Sequence, residues 1–247
     1  MSGHSKWSSI KHKKGAADAA RGKVFTKHAK LIEIAAREGG SGDQSMNASL
    51  KAAVENAKAA NVPNANIDRS IKKGTGELKG DATVGVTYEA YAPGGTALII
   101  ECLTDNKNRT LPNVRTIIEK RGGKMAESGS VKFLFTQKGV VMAKGELNDE
   151  IELALMDADA EDIEVNDGVV TVTTDVSTWT KARDILKAAG FDIQEADMKH
   201  VPLQSIEIDN LEAAQKLMDL ISAIEEDEDV SDVHTNADIT DEIAAQL

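Results

Sequence analysis

The hydrophobic period of this chain changes once, at about Lys79, and that change limits the possible folds more than any other feature. Before it, apolar residues recur at helical spacing. Over residues 16–38, Val24, Phe25, His28, Leu31, Ile32, Ala35 and Ala36 share one helix face, while Lys23, Lys27, Lys30 and Arg37 lie opposite, interrupted only by Ile34. Gly39 and Gly40 stand where a helix C-cap belongs. A second helix is expected over 45–61, ended by Pro63, and a third over 64–73, sizes that suit a small bundle. After Lys79 the pattern alternates. Residues 83–91 and 96–104 read as a hairpin, with Ala92-Pro93-Gly94-Gly95 as a type II turn. A helix over 108–120, closed by Gly122-Gly123, and a strand over 131–135 follow.

From Gly139 the order becomes strand 139–143, helix 149–157, strands 162–166 and 169–174 about Asp167-Gly168, helix 178–189 and strand 191–198. This is β-α-β-β-α-β, the split arrangement of ferredoxin-like folds. The remaining strand 203–208, helix 210–224 and strand 230–235 are too few for a core of their own, so they are expected to return to the sheet of 80–134. The expected class is therefore α+β: a helical bundle plus two α/β domains, the inserted one ferredoxin-like. The expected division is a basic arm over 1–15, flexible when free, a helical domain over 16–79, a middle domain of 80–136 plus 202–247, and an insert over 137–201.

The formal charge of −12 conceals an uneven distribution. Residues 1–79 carry 15 Lys/Arg against 7 Asp/Glu, a balance of +8, whereas 80–247 carry 14 against 34, a balance of −20. A basic end on an acidic chain raises the question of nucleic acid. The lone Cys102 leaves no disulfide framework, suits a reducing cytoplasm, and sits in an apolar strand where nothing would lower its pKa. No run of 18 apolar residues is present, so neither a membrane span nor a membrane partner is expected.

Enzymatic readings find little support. Gly74-Thr75-Gly76 with Gly80 has the wrong spacing for a dinucleotide loop, follows a helix, and reads as a linker. His4, His12 and His28 make no metal spacing, and His28 reads as a packed core residue. The block from Glu225 to Asp229 reads as a solvated helix end in preference to a metal or catalytic cluster. No catalytic residue, cofactor site or metal site is expected, and the protein is read as a non-enzyme.

Binding readings do better. Residues 1–37 hold nine Lys/Arg against Asp18 and Glu33. The arm residues Lys6, Lys11, Lys13 and Lys14, with Arg21, Lys23, Lys27 and Lys30 of the first helix, could contact phosphates, and Trp7 could either stack on a base or sit in a core. A second basic candidate is Lys107 and Arg109, with Arg115 one turn on, at a helix start that could hold a phosphate or could equally be a turn capped by Thr110.

Several stretches carry a specific resemblance: Gly3-His4-Ser5-Lys6-Trp7; Arg21-Gly22-Lys23-Val24-Phe25-Thr26-Lys27; Tyr88-Glu89 through Ala92-Pro93-Gly94-Gly95-Thr96 to Glu101-Cys102-Leu103-Thr104-Asp105-Asn106-Lys107-Asn108-Arg109-Thr110; and Gly129-Ser130-Val131. In these, collinear over essentially the whole chain, the sequence resembles the YebC/PmpR family, which includes a mitochondrial translational activator. The resemblance implies three domains and a cytoplasmic, non-enzymatic regulator of gene expression. It implies either a transcriptional regulator that binds DNA or a factor acting on translating ribosomes. It departs from many relatives in having His234 where they carry an aromatic residue, and in its strongly acidic 225–229 run.

The resulting expectation is a nucleic-acid-binding regulator with DNA or ribosomal RNA as partner. No helix-turn-helix, zinc-finger or RNP-type signature supplies base readout. The alternatives are a ribosome-associated factor contacting rRNA or tRNA, and an acidic adaptor whose residues 135–247, with a net charge of −21, dock a basic partner. A further possibility is that the acidic tail occupies the basic face until nucleic acid displaces it. Neither the target sequence nor the oligomeric state is written in the chain.

Overall fold

The computed structural model describes residues 17–247 apart from Asp167, with side chains described from Gly22 onward. The expected basic arm and the Arg21 side chain lie outside the described residues. In chain order come helices α1 (Ala17–Glu38), α2 (Ala48–Ala59) and α3 (Asn64–Gly74), then strands β1 (Val84–Tyr91) and β2 (Ala97–Thr104), helix α4 (Lys107–Lys120) and the short β3 (Lys124–Met125). Next are β4 (Phe135–Lys144), α5 (Asp149–Asp157), β5 (Ala160–Asn166), β6 (Val169–Thr174), α6 (Trp179–Ala188) and β7 (Asp192–Pro202). The chain finishes with β8 (Ile206–Ile208), α7 (Leu211–Glu225), β9 (Val230–Thr235), β10 (Ala237–Ile239) and α8 (Asp241–Ala244).

The first three helices enclose Ile32, Ala36, Leu50, Val54, Ala57 and Ile67. Helix α2 starts later than its periodicity suggests because Asn47 caps it. The Asn47 Oδ1 accepts the Leu50 N–H at 3.0 Å, while Nδ2 donates to the carbonyls of Ala35 and Ser41 and fixes the loop in non-helical form. At Gly74 a Cβ would lie 2.4 Å from the Glu33 carbonyl oxygen, so only glycine lets α3 approach α1 this closely. The buried face of α1 is narrower than the expected one. It centres on Ile32 and Ala36, and Val24 is 41% exposed.

The hairpin closes as expected: Gly94 has a φ of +89°, and the Gly95 N–H donates to the Ala92 carbonyl at 3.0 Å. The first sheet has the order β3-β1-β2-β9, with every neighbouring pair antiparallel. Strand β9 therefore reaches β2 from the far end of the chain, with Leu98 opposite Thr235 and Ile100 opposite Val233. One face of this sheet packs Leu98, Ile100 and Cys102 against Val114 and Ile118 of α4 and Leu217, Leu220 and Ile221 of α7. Short β8 and β10 pair in parallel beside it.

The second sheet has the order β5-β6-β4-β7, all antiparallel, with α5 and α6 supplying Leu155, Ala182 and Leu186 to its core. This is the strand order of a ferredoxin-like unit, and the whole is a mixed α+β fold as expected. The sheet begins at Phe135, opposite Pro202, several residues before the strand start read at Gly139. The strand expected over 131–135 is not formed. Residues Lys132–Leu134 make a single 3-10 turn instead, because the Glu89 carboxylate, itself 5% exposed, captures the backbone N–H groups of Gly129 (2.6 Å), Val131 (2.6 Å) and Lys132 (2.9 Å). A segment whose N–H groups are tied to one carboxylate has none to give a sheet ladder.

Burial pushes the Glu89 carboxyl up, but these hydrogen bonds outweigh it and hold its pKa below the ordinary value. Replacing Glu89 with Gln turns an NH2 group toward a backbone donor and should cost about 1–3 kcal/mol in urea unfolding at neutral pH. Because the native pKa is depressed, this contribution is present above the unfolded carboxylate value of about 4.3 and is lost as the pH falls below it. The gap between wild type and Glu89→Gln should therefore shrink in acid; a gap that widened in acid would contradict this origin.

Candidate nucleic-acid interface

Lys23, Lys27 and Lys30 recur one turn apart on α1, as the wheel requires, but the structure corrects the expectation that they form an outer, solvent-facing stripe. They form a seam against the start of β9 and the loop before it. Lys23 Nζ donates to the Asp227 carbonyl at 3.1 Å. Lys27 Nζ lies 3.7 Å from Asp197 of β7 and 3.8 Å from Asp232 of β9. Lys30 Nζ donates to the carbonyls of Leu103 (2.8 Å) and Glu228 (2.9 Å) and to the Asp229 carboxylate (3.1 Å). A helix wheel reports one helix's faces without its neighbours, and α1 has neighbours on two sides.

Asp229 is the centre of the seam. Its side chain is 5% exposed, and besides Lys30 it accepts hydrogen bonds from Arg109 Nη2 at 2.6 Å, Thr110 Oγ1 at 2.9 Å and Thr104 Oγ1 at 3.2 Å. The Leu103 N–H donates to its carbonyl at 2.8 Å. One carboxylate thus joins α1, the end of β2 and the first turn of α4. The reading of residues 225–229 as a solvated helix end is corrected here: Glu226 and Glu228 are exposed, but Asp229 is buried. Sequence inspection missed it because its five partners are about 120 or more residues away. The available signal was the run Thr104-Asp105-Asn106-Lys107-Asn108-Arg109-Thr110, which sets two hydroxyls and a guanidinium around one helix start.

Arg109 is correspondingly committed, its Nη2 also reaching Asp105 at 3.2 Å. Asn106 caps α4 by accepting the Arg109 N–H at 3.1 Å, so the cap falls on Asn106, while the Thr110 hydroxyl points to Asp229. Lys107, in contrast, is exposed, as are Arg115, Lys120, Arg121, Lys124 and Lys132. Residues 107–132 hold seven Lys/Arg against two acids, which makes the surface around α4 positive on an otherwise acidic part of the chain. Lys6, Trp7, Lys11, Lys13 and Lys14 lie outside the described residues.

The glycines at 74, 76 and 80 line a cleft of about 500 Å3 together with Glu33, Arg37, Lys73, Lys79 and Asp81. Glu33 there accepts from the Thr83 N–H (2.8 Å) and hydroxyl (2.9 Å) and pairs with Lys73 at 2.9 Å, so its carboxylate ties α1 to the entry of β1. His28 is half-buried, and desolvation lowers its pKa. Cys102 is buried, and burial pushes its thiol up to about 12, which leaves it inert. Among the described residues no helix is long and apolar enough to cross a membrane.

Desolvation pushes the Asp229 carboxyl up, but hydrogen bonds from Arg109, Thr110 and Lys30 more than offset it and hold its pKa below the ordinary value. Asp229→Asn leaves Lys30 and Arg109 facing a neutral group and should cost on the order of 3 kcal/mol by urea unfolding at pH 7. As with any depressed carboxylate, the contribution is complete above an unfolded value of about 3.9 and fades below it. A loss under about 0.5 kcal/mol would show that the seam is held elsewhere.

Comparison with known proteins agrees with this architecture. Residues 5–77 match a family model described as the TACO1/YebC protein N-terminal domain, and residues 84–237 match one described as the TACO1/YebC second and third domain. A "Probable transcriptional regulatory protein" of Treponema pallidum is 48% identical over 246 residues, covering 98% of this chain and 99% of the relative. A protein of the same name from Halothermothrix orenii is 42% identical over 253 residues, covering 100% of this chain and 99% of the relative. The crystal structure of a conserved hypothetical protein from Aquifex aeolicus superposes with a TM-score of 0.84 at 38% identity, covering 94% of this chain and 96% of that one. The relatives' names describe regulators, and with both family models matched in order along the sequence, this chain belongs to the TACO1/YebC family.

Proposed function

We propose that the chain is a non-enzymatic regulator of gene expression that binds nucleic acid, DNA in the first instance, through its phosphate backbone. The single observation that carries this reading is the exposed, positive surface around α4. Lys107, Arg115, Lys120, Arg121, Lys124 and Lys132 stand free of the seam that engages the α1 lysines. The arm adds Lys6, Lys11, Lys13 and Lys14 with no acid among residues 1–15. Cations spread over a surface neutralise phosphates without reading bases. The acidity elsewhere repels the backbone and confines contact to these two places. The relatives' names support a transcriptional role. A translational role, with ribosomal RNA as the phosphate donor, uses the same cations and is separated from the first by experiment.

Every duplex phosphate that a variant leaves without its cation should flatten the plot of log affinity against log salt by about 0.9. Lys107→Ala with Arg115→Ala should reduce the slope by about 2 on duplex DNA, and Lys11→Ala with Lys13→Ala and Lys14→Ala by up to about 3. Unchanged slopes in both variants would overturn the assignment of these cations to phosphate. Negligible duplex affinity combined with co-sedimentation on translating ribosomes, abolished in the same variants, would transfer the reading to RNA.

The seam favours a second reading of α1. Segment 227–232 occupies its lysines as a competing anion would, so nucleic acid that displaced it would gain Lys23, Lys27 and Lys30. Asp229→Asn should then raise nucleic-acid affinity and steepen the salt slope. An unchanged affinity in the folded variant would leave the seam as structure alone.

A further inference from the structure

At the junction of the two sheets, three potential metal ligands converge from distant parts of the chain. The β2–β9 register sets Ile99 opposite His234 and Glu101 opposite Asp232, so Glu101 and His234 lie diagonally on the same face of the first sheet. This is the face turned away from α4 and α7. Edge strand β7 of the second sheet crosses it and delivers His200. His200 Nδ1 lies 3.1 Å from Glu101 Oε1, and His234 Nε2 lies 3.7 Å from Glu101 Oε2. The two imidazole rings are 5.2 Å apart at 60°.

We propose that Glu101, His200 and His234 form a binding site for one zinc-class dication, clamping the second sheet onto the first. One donor atom from each residue lies within 4.8 Å of the other two, the one such group of three among the described residues. A tetrahedral zinc with ligands at about 2.0–2.2 Å holds its donors about 3.3 Å apart, so a small rotation of the rings closes the set. The side chains of His234 and His200 are 0% and 6% exposed, and His200 Nδ1, the nitrogen that faces Glu101, is buried and makes no well-aligned hydrogen bond among the described residues. That is an unusual expense for a polar atom with no ligand in view. The Glu101 side chain is 33% exposed, so the carboxylate is open to solvent, from which a water could supply the fourth ligand.

The donor set selects the ion. Two imidazoles and one carboxylate suit zinc, cobalt or nickel and disfavour magnesium and calcium, which take oxygen ligands. The neighbouring cations do not oppose a dication. Lys199 is paired with Asp232 and Glu195, and Lys27 with Asp197 and Asp232. Cys102 faces the opposite side of β2, in the core with α4 and α7, and contributes no thiolate. The three ligands come from β2, β7 and β9, so the bound ion would stabilise the junction in proportion to its occupancy. Sequence spacing gave no sign of this site, because the ligands lie about 30 to 130 residues apart and only the strand pairing unites them.

The experiment uses the full chain, stripped with a chelator and titrated with Zn2+ by calorimetry and with Co2+ by visible absorption. The expected result is a single dication per chain, tetrahedral or five-coordinate cobalt bands without thiolate charge transfer, and a Tm that rises with Zn2+. Glu101→Gln and His234→Gln, each verified as folded by circular dichroism, should weaken binding by more than about tenfold and abolish the Tm response. Paramagnetically shifted resonances from two imidazoles in the wild-type Co2+ complex provide a readout that needs no variant. No saturable binding would overturn the proposal. So would binding that both variants retain.

Discussion

A single buried carboxylate, Asp229, ties the helical bundle to the first sheet and to the start of α4. It receives Lys30 from the helical bundle, Thr104 from the end of β2, and Arg109 and Thr110 from the first turn of α4. A buried charge is tolerable only when it is fully satisfied, and here four side chains satisfy it. The seam extends beyond Asp229. Around the same loop Lys23 meets the Asp227 carbonyl, Lys27 meets Asp232 of β9 and Asp197 of β7, and β9 pairs with β2. Glu89 performs the same service on a smaller scale, closing the turn that leads into the second sheet.

These two carboxylates give physical content to the motifs by which the family is recognised. Thr104 to Thr110 is a cradle for Asp229, and Gly129-Ser130-Val131 is the loop that Glu89 grips. The motifs look like binding elements in the sequence, rich in small, polar and basic residues. In the structure much of that chemistry points inward. What remains outward is a set of lysines and arginines around α4, which is why the proposed nucleic-acid contacts fall there and on the arm and not along α1.

The secondary structure was legible wherever it is set by local patterning. The hairpin with its Pro93-Gly94 turn, α5, β6 and β9 appear where period and turn residues place them, and the return of β9 to the first sheet follows from the shortage of core in 203–235. The failures share a cause. The 131–135 strand, the outer stripe on α1 and the solvated 225–229 block were each decided by partners distant in sequence: Glu89 for the first, and for the other two, one another. The same limit hid the Glu101, His200 and His234 cluster, whose members become neighbours only through strand register and the crossing of two sheets. Short β3, β10 and α8 carry too few residues to show a period at all.

The central claim is that the cations of this chain divide into an internal set and an outward set, and that the outward set meets phosphate. Lysine reactivity mapping by brief acetylation and mass spectrometry, with and without nucleic acid, tests both halves at once. Lys23, Lys27 and Lys30 should react slowly in the free protein, while Lys107, Lys120, Lys124 and Lys132 should react quickly and become protected when nucleic acid is added. Rapid reaction of the α1 lysines in the free protein, or no protection around α4 on binding, would contradict it.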